Sequence, residues 1–338
     1  MSIIKRKVTP RDDAMHPNPS PGWWEWWYFD ADFDNGYIIA GTFHFGSPRP
    51  PANRDVRFIE IAIYDPEGNC KLIRKRYPKE QCRASEETCD VVIGPNTFKG
   101  EIPQYKLCFS EGDQGFDLTY ESMVEGCIPL EELEPQLSPY LGWVVAQPRA
   151  RVTGTLTVDG KTMEVSGEGY HDHNWANAPM TAAISDNTFW GRTFIGDYAL
   201  CWSAGPGLRK LGYVPSGRIV AAKKDKIMAI SGKGTAIGSN LTAEGLPEEL
   251  GIQYPRDILL QWDDPGVVEG KIKFKVTKMV TFFDLHSRFK PFQRWLARRY
   301  IGKPAYFRYF MTYDANIKVR GQKVVGKGKT WCEHHKFV

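Results

Sequence analysis

The sequence predicts an all-β protein made of two antiparallel barrel-like halves with few short helices. Three observations carry that prediction. Apolar and polar residues alternate with a period of two in both halves of the 338-residue chain. Asn35-Gly36 and Asp159-Gly160 have the chemistry of tight hairpin turns. Helical periodicity is scarce. In chain order, the run Trp23-Trp24-Glu25-Trp26-Trp27-Tyr28-Phe29-Asp30 reads as an aromatic strand, followed by strands over Tyr37 to Phe45 and Arg57 to Tyr64. Phe116 to Tyr120 alternates, and Asp159-Gly160 joins two further strands, Arg151 to Val158 and Lys161 to Val165. The second half repeats the style over Arg218 to Ala222, Ile227 to Ile230, Ile258 to Trp262, Lys271 to Phe283 and Arg308 to Val319. From Lys271 to Val276 the lysines face one way and the apolar residues the other, as in an antiparallel sheet with one wet face. Gly46 to Ala52 and Gly205 to Gly207 read as loops. A boundary falls between 176 and 187, which gives an N-terminal domain of 1–180 and a C-terminal domain of 181–338.

Composition narrows the function classes. With 42% hydrophobic and 13% aromatic residues the chain can build a substantial core. A net charge of +4 is too small to argue for nucleic acid, and no run of 18 apolar residues suggests a membrane span. The basic start, Met1 to Lys7, has no apolar stretch behind it, so no secretory signal is expected. Seven cysteines (Cys70, Cys82, Cys89, Cys108, Cys127, Cys201, Cys332) are scattered without a C-x-x-C pair. That pattern fits reduced thiols and a cytoplasmic protein better than a disulfide framework or a zinc site.

The densest chemistry lies at Tyr170-His171-Asp172-His173-Asn174-Trp175. On a strand, His171, His173 and Trp175 share one face, and Tyr170, Asp172 and Asn174 the other. One face then offers two imidazoles beside an indole. The histidines could form a metal pair, but no third ligand of suitable spacing stands out, and a hydrogen-bonded structural histidine is the stronger alternative. Asp172 is either an acid with a raised pKa or an orienting carboxylate; the two readings stand level. Glu25, embedded among six aromatics, is either a buried acid or the partner of an arginine such as Arg192, with the pairing slightly favoured. Of Trp23, Trp24, Trp26 and Trp27 only half can face a pocket. Aromatic faces attract a developing carbocation by roughly 0.5–2 kcal/mol each, although an aromatic strand is more often packed core. Acid among aromatic walls is what protonation of an alkene requires.

Glu25-Trp26-Trp27-Tyr28-Phe29, the stretch from Gly167 through Gly169-Tyr170-His171-Asp172-His173-Asn174-Trp175, and Trp190-Gly191-Arg192 resemble the lipocalin-like hydratase and cyclase family. That family takes in carotenoid 1,2-hydratases, kievitone hydratase, AttH-type proteins and decalin-forming Diels–Alderases. The resemblance implies two lipocalin-like β-barrel domains, a pocket within or between them, and no metal or organic cofactor. In the carotenoid hydratases a His-x-Trp pair is implicated with a Tyr and an Asp on a following strand. His173 and Trp175 match the pair. The later Tyr-x-Asp has its nearest counterpart in Gly196-Asp197-Tyr198, in different order, and Ala176 stands where relatives often have Gly.

The expected catalytic set is therefore Asp172, His173, His171 and Asp197. Trp175, Trp27, Tyr28, Glu25, Tyr170, Trp190 and Tyr198 are the expected substrate contacts, and His173 and Trp175 are expected to line a deep apolar cavity. The first functional expectation is a cofactor-free hydratase adding water to a trisubstituted alkene of an isoprenoid such as a carotenoid or polyprenyl lipid. Alternatives are a terpenoid or polyketide cyclase or pericyclase, and a non-catalytic carrier of an apolar ligand. Between 288 and 300, Phe292, Trp295, Leu296 and Tyr300 fall on one helical stripe after Pro291, with arginines beside it. That reads either as a peripheral contact with a membrane or as a helix capping a barrel with its arginines in solvent; the capping helix is somewhat favoured.

Overall fold

A computed structural model describes residues 7–47, 53–130, 141–178, 187–205, 216–233, 235–286 and 303–336, with residues 290, 292, 295, 296 and 299 between them. The chain forms two compact units. One runs to residue 183 and takes in Asp225–Ile227; the other comprises Ile184–Lys224 and Met228–Val338.

The first unit is a 12-stranded antiparallel sheet that curls around its core. The aromatic run becomes β1 (Trp24–Phe33), which sits mid-sheet between β2 (Ile38–Ser47) and β12 (Lys161–Ala176). β3 (Asn53–Tyr64) and β4 (Cys70–Arg76) extend one side. The other side continues through β11 (Leu141–Val158), β9 (Gln114–Ser122), β8 (Gln104–Glu111), β7 (Asn96–Glu101), β6 (Cys89–Ile93) and β5 (Cys82–Ala84), with β10 (Cys127–Leu130) also paired to β11. Asp159 and Gly160 both take positive φ, 52° and 73°, so the two-residue turn between β11 and β12 is of the twisted kind that Asp-Gly favours. Before β1, Pro10–Asp13 forms a short 3-10 turn capped by Thr9. Its neighbours on the core side fix it: the Trp27 indole donates to the Asp13 carbonyl (2.9 Å), the Trp23 indole to the His16 carbonyl (3.0 Å), and Met15 N–H to the Ser85 carbonyl (2.8 Å).

The second unit is a nine-stranded antiparallel sheet with its own apolar core. Its order is β16 (Lys226–Ser231), β15 (Ser216–Lys223), β14 (Tyr198–Gly205), β13 (Asn187–Ile195), β21 (Gln322–Lys336), β20 (Ala305–Val319), β19 (Val268–Asp284), β18 (Tyr254–Asp264), β17 (Ala236–Thr242). Lys271, Lys273 and Lys275 are exposed while Ile272 and Phe274 are buried, the wet-faced strand the alternation predicts. The all-β expectation holds. A strand such as β14 escapes the alternation rule because nearly every residue in it is buried, which erases the period of two.

Candidate active site

β1 and β12 pair antiparallel with Glu25 opposite Trp175, Trp27 opposite His173 and Phe29 opposite His171. Strand alternation then puts these six side chains on the core face, and Trp26, Tyr28, Asp30, Tyr170, Asp172 and Asn174 on the reverse.

On the core face His173 has no exposed surface, and both its nitrogens meet carboxylates. Nε2 lies 2.7 Å from Glu25 Oε1 and Nδ1 lies 3.4 Å from Asp13 Oδ1. The oxygens sit off the line of the N–H bonds, so these contacts are ion pairs rather than aligned hydrogen bonds. His171 Nδ1 donates to the Tyr28 carbonyl (2.7 Å), and Nε2 meets Asp13 Oδ2 at 3.0 Å. Glu25 is also held by His16: the backbone N–H reaches both carboxylate oxygens (2.8 and 3.0 Å) and ring Nδ1 lies 3.3 Å from Oε1. Trp27 stacks on His173 (centroids 4.4 Å, 18°), and His16 lies flat on Trp175 (3.7 Å, 2°). The side chain of His16 is 18% exposed and that of Glu25 0%. The ionisable groups therefore run inward from a partly exposed His16 through Glu25 and His173 to Asp13 and His171.

The electrostatics follow from this packing. Burial opposes charge on His173, yet contacts with Asp13 and Glu25 and their negative charges outweigh it and push its pKa up to about 9. Burial likewise opposes charge on Asp13, but the His171 charge and the two imidazole contacts hold it well below the usual carboxylate range. Glu25 is also lowered against the effect of burial, by its contacts with His16 and His173. An uncompensated buried ion costs several kcal/mol, of the order of the whole stability of a domain. Two carboxylates facing these imidazoles remove that penalty only as a set. Two groups of three donors, His16/Glu25/His173 and Asp13/Cys89/His171, have their ligand atoms within 4.8 Å of one another. In the first group the imidazoles and the carboxylate already meet as ion pairs. In the second, His171 pairs with Asp13 and burial pushes the Cys89 thiol well up, keeping it protonated.

On the reverse face Asp172 accepts three hydrogen bonds, from the Trp143 indole (2.8 Å), the Tyr170 hydroxyl (2.8 Å) and the Asn174 amide (3.0 Å). Tyr28 turns its hydroxyl toward Asp30 on that face (3.2 Å). In the second unit, Trp190 lies on β13 with its ring edge-on to Trp331 (5.8 Å). Asp197 is exposed in the β13–β14 turn, and Tyr198 donates to Gln322 (2.9 Å).

Several expectations are corrected by this geometry. Asp172 does not join His171 and His173, because the period of two turns it to the other face; Asp13 is the carboxylate both histidines meet. Glu25 takes its partners, His16 and His173, from its own unit rather than from an arginine such as Arg192. Third donors that spacing did not suggest for the two histidines come from Cys89, Asp13, Glu25 and His16. Asp13 and His16 were missed because they lie outside any strand, in a Pro-rich stretch whose polar residues look like those of an ordinary loop. Their only sequence signal is proximity to the aromatic strand, too weak to single them out.

Comparison with known proteins fits the fold and the sequence blocks. Residues 117–227 match the family described as Diels-Alderase-like. Hydroxyneurosporene dehydrogenase of Chlorobaculum tepidum is 40% identical, over 54% of this chain and 56% of that protein. The quinolone epoxide rearrangement protein penF of Penicillium thymicola is 34% identical over 22% of this chain and 20% of its own length. The chain thus spans between a fifth and little more than half of these relatives. Among solved structures, CghA superposes with a TM-score of 0.66 at 15% identity, covering 99% of this chain and 94% of its own. Kievitone hydratase from Nectria haematococca gives 0.60 at 15%, covering 98% and 93%. At such identity these likenesses show the fold. The resemblance to the lipocalin-like hydratase and cyclase family is borne out, by the Diels-Alderase-like match over residues 117–227 and by a shared two-sheet fold along the whole chain.

Proposed function

We propose that this protein is an enzyme that acts on a small hydrophobic molecule by proton transfer, with the His173 cluster as its proton store. The observation that carries the reading is a fully buried imidazole set between the Asp13 and Glu25 carboxylates, stacked on Trp27 and connected through Glu25 to the partly exposed His16. Buried, strongly shifted groups of this kind concentrate at functional sites. The ring of its outermost member, His16, is partly exposed and lies flat on the buried Trp175 indole, which links the network to the surface.

In the hydratase form of the proposal, a proton passes from the cluster to the less substituted carbon of a trisubstituted isoprenoid alkene. In this form the Trp175 and Trp27 rings, packed against His16 and His173, are the π systems nearest the tertiary cation. Water adds to that cation and returns its proton to the cluster, so the sum is alkene plus water to alcohol. His171 stabilises Asp13, Asp172 positions β12 from behind, and Asp197 has no part. The partly exposed His16 ring, at the outer end of the cluster, can instead donate a hydrogen bond to a carbonyl or an epoxide oxygen. The relatives named for quinolone epoxide rearrangement, together with the Diels-Alderase-like match, therefore support rearrangement or ring closure equally well.

The test is turnover of acyclic isoprenoid alkenes and of aryl epoxides in heavy water. Hydration places one solvent deuterium on the carbon next to the new hydroxyl-bearing carbon. A product without deuterium at carbon moves the protein to the rearrangement and cyclase form. No turnover of either class, with an apolar ligand bound stoichiometrically, would assign it as a carrier.

A further inference from the structure

Among the described residues, three of the large apolar side chains that stand exposed lie within five positions of one another. Phe292 is 71% exposed, Trp295 59% and Leu296 42%. All three are helical, as is Arg299, and their spacing of i, i+3, i+4 and i+7 puts them on one stripe. The Phe292 and Trp295 rings lie 6.1 Å apart and nearly parallel. The other residues of 288–300, Tyr300 among them, lie outside the described set, apart from an exposed Lys290. A helix capping a barrel would bury this stripe and leave its cations in water. Here the aromatic residues themselves face solvent.

Charge indicates what covers them. From Leu285 to Pro304 the sequence has no acidic residue and six cations: Arg288, Lys290, Arg294, Arg298, Arg299 and Lys303. Helical aromatic and leucine side chains within a cationic stretch of sequence suit the headgroup region of a bilayer, where rings enter the acyl boundary and cations meet phosphates. We propose that the stripe Phe292–Trp295–Leu296 with Arg299 docks this protein on membrane surfaces rich in anionic lipid. No helix among the described residues is long and apolar enough to cross a membrane, so the contact proposed is peripheral. The inference does not depend on the reaction assigned above.

Cosedimentation of the full chain with vesicles tests it, using phosphatidylcholine alone or mixed with phosphatidylglycerol. Binding is expected to the mixed vesicles, to weaken as salt rises, and to be weak on phosphatidylcholine alone. Replacing Lys290 and Arg299 by Gln should weaken it by about fivefold per charge. The combined variant Phe292→Ala, Trp295→Ala, Leu296→Ala should abolish it while leaving the thermal transition in place, since these side chains are exposed. Two results would overturn the proposal: equal sedimentation of the parent and the triple variant, or a dimer in solution that the triple variant dissociates without any lipid binding. The second would assign the stripe to another copy of this chain.

Discussion

His173 and Asp172 are neighbours in sequence with opposite surroundings, and that contrast decides their roles. His173→Gln removes the cation between two buried carboxylates. It should lower turnover by about 10²–10⁴-fold, the usual contribution of general acid–base catalysis. It should also destabilise the fold by about 3–5 kcal/mol, because Asp13 and Glu25 lose a counter-charge in a dry environment. Because unfolding could mimic lost chemistry, His16→Gln provides the cleaner variant. His16 is partly exposed, so the fold should persist while turnover falls and its pH dependence changes. Asp172→Asn keeps the shape but loses the charge that accepts hydrogen bonds from Trp143 and Tyr170. A loss of about 1–3 kcal/mol is expected from denaturant unfolding, with the pH profile of turnover unchanged. A shifted profile would return Asp172 to the acid role that the sequence left open.

At the scale of elements, the site depends on how closely β11 approaches β12. Gly142 lies opposite Trp175, and a Cβ there would sit 2.2 Å from the indole. Gly142→Ala must therefore push Trp175 off its stack with His16. Turnover is expected to drop while far-ultraviolet circular dichroism stays that of the parent; unchanged turnover would detach the Trp175 stack from function. The strands that hold the site show how far the sequence could be read. The β11–β12 hairpin was legible because Asp159-Gly160 joins two alternating runs, and the His-x-His-x-Trp face followed from the period of two. β1 could be recognised as an aromatic strand, but its register on β12, which brings Trp27 to His173, is a long-range pairing that local pattern does not encode. The Pro10–Asp13 turn was illegible for the same reason. Thr9 and Pro10 favour the turn locally, but its place against β1 is set by the Trp27 indole, which donates to the Asp13 carbonyl across 14 residues.

At the scale of the whole molecule, the cluster couples folding to pH. His173 is raised from an ordinary 6.5 to about 9, so its contribution to stability is complete below pH 6.5 and is lost as pH climbs through 9. The shift corresponds to a few kcal/mol, on the order of 1.4 kcal/mol per unit. Asp13 and Glu25 are lowered, so their contribution is present above the ordinary carboxylate range and is lost on acidification below it. Equilibrium unfolding followed between pH 6 and 10 should therefore show stability falling toward the alkaline end, and His173→Gln should flatten that slope. The most direct measurement of the central claim is a pH titration of the protein labelled with ¹⁵N at histidine, with the His173 signals assigned by their absence in His173→Gln. The account predicts that both His173 ring nitrogens are protonated at neutral pH and titrate near 9. A single-proton tautomer at pH 7, or a midpoint at or below that of a free histidine, would contradict it.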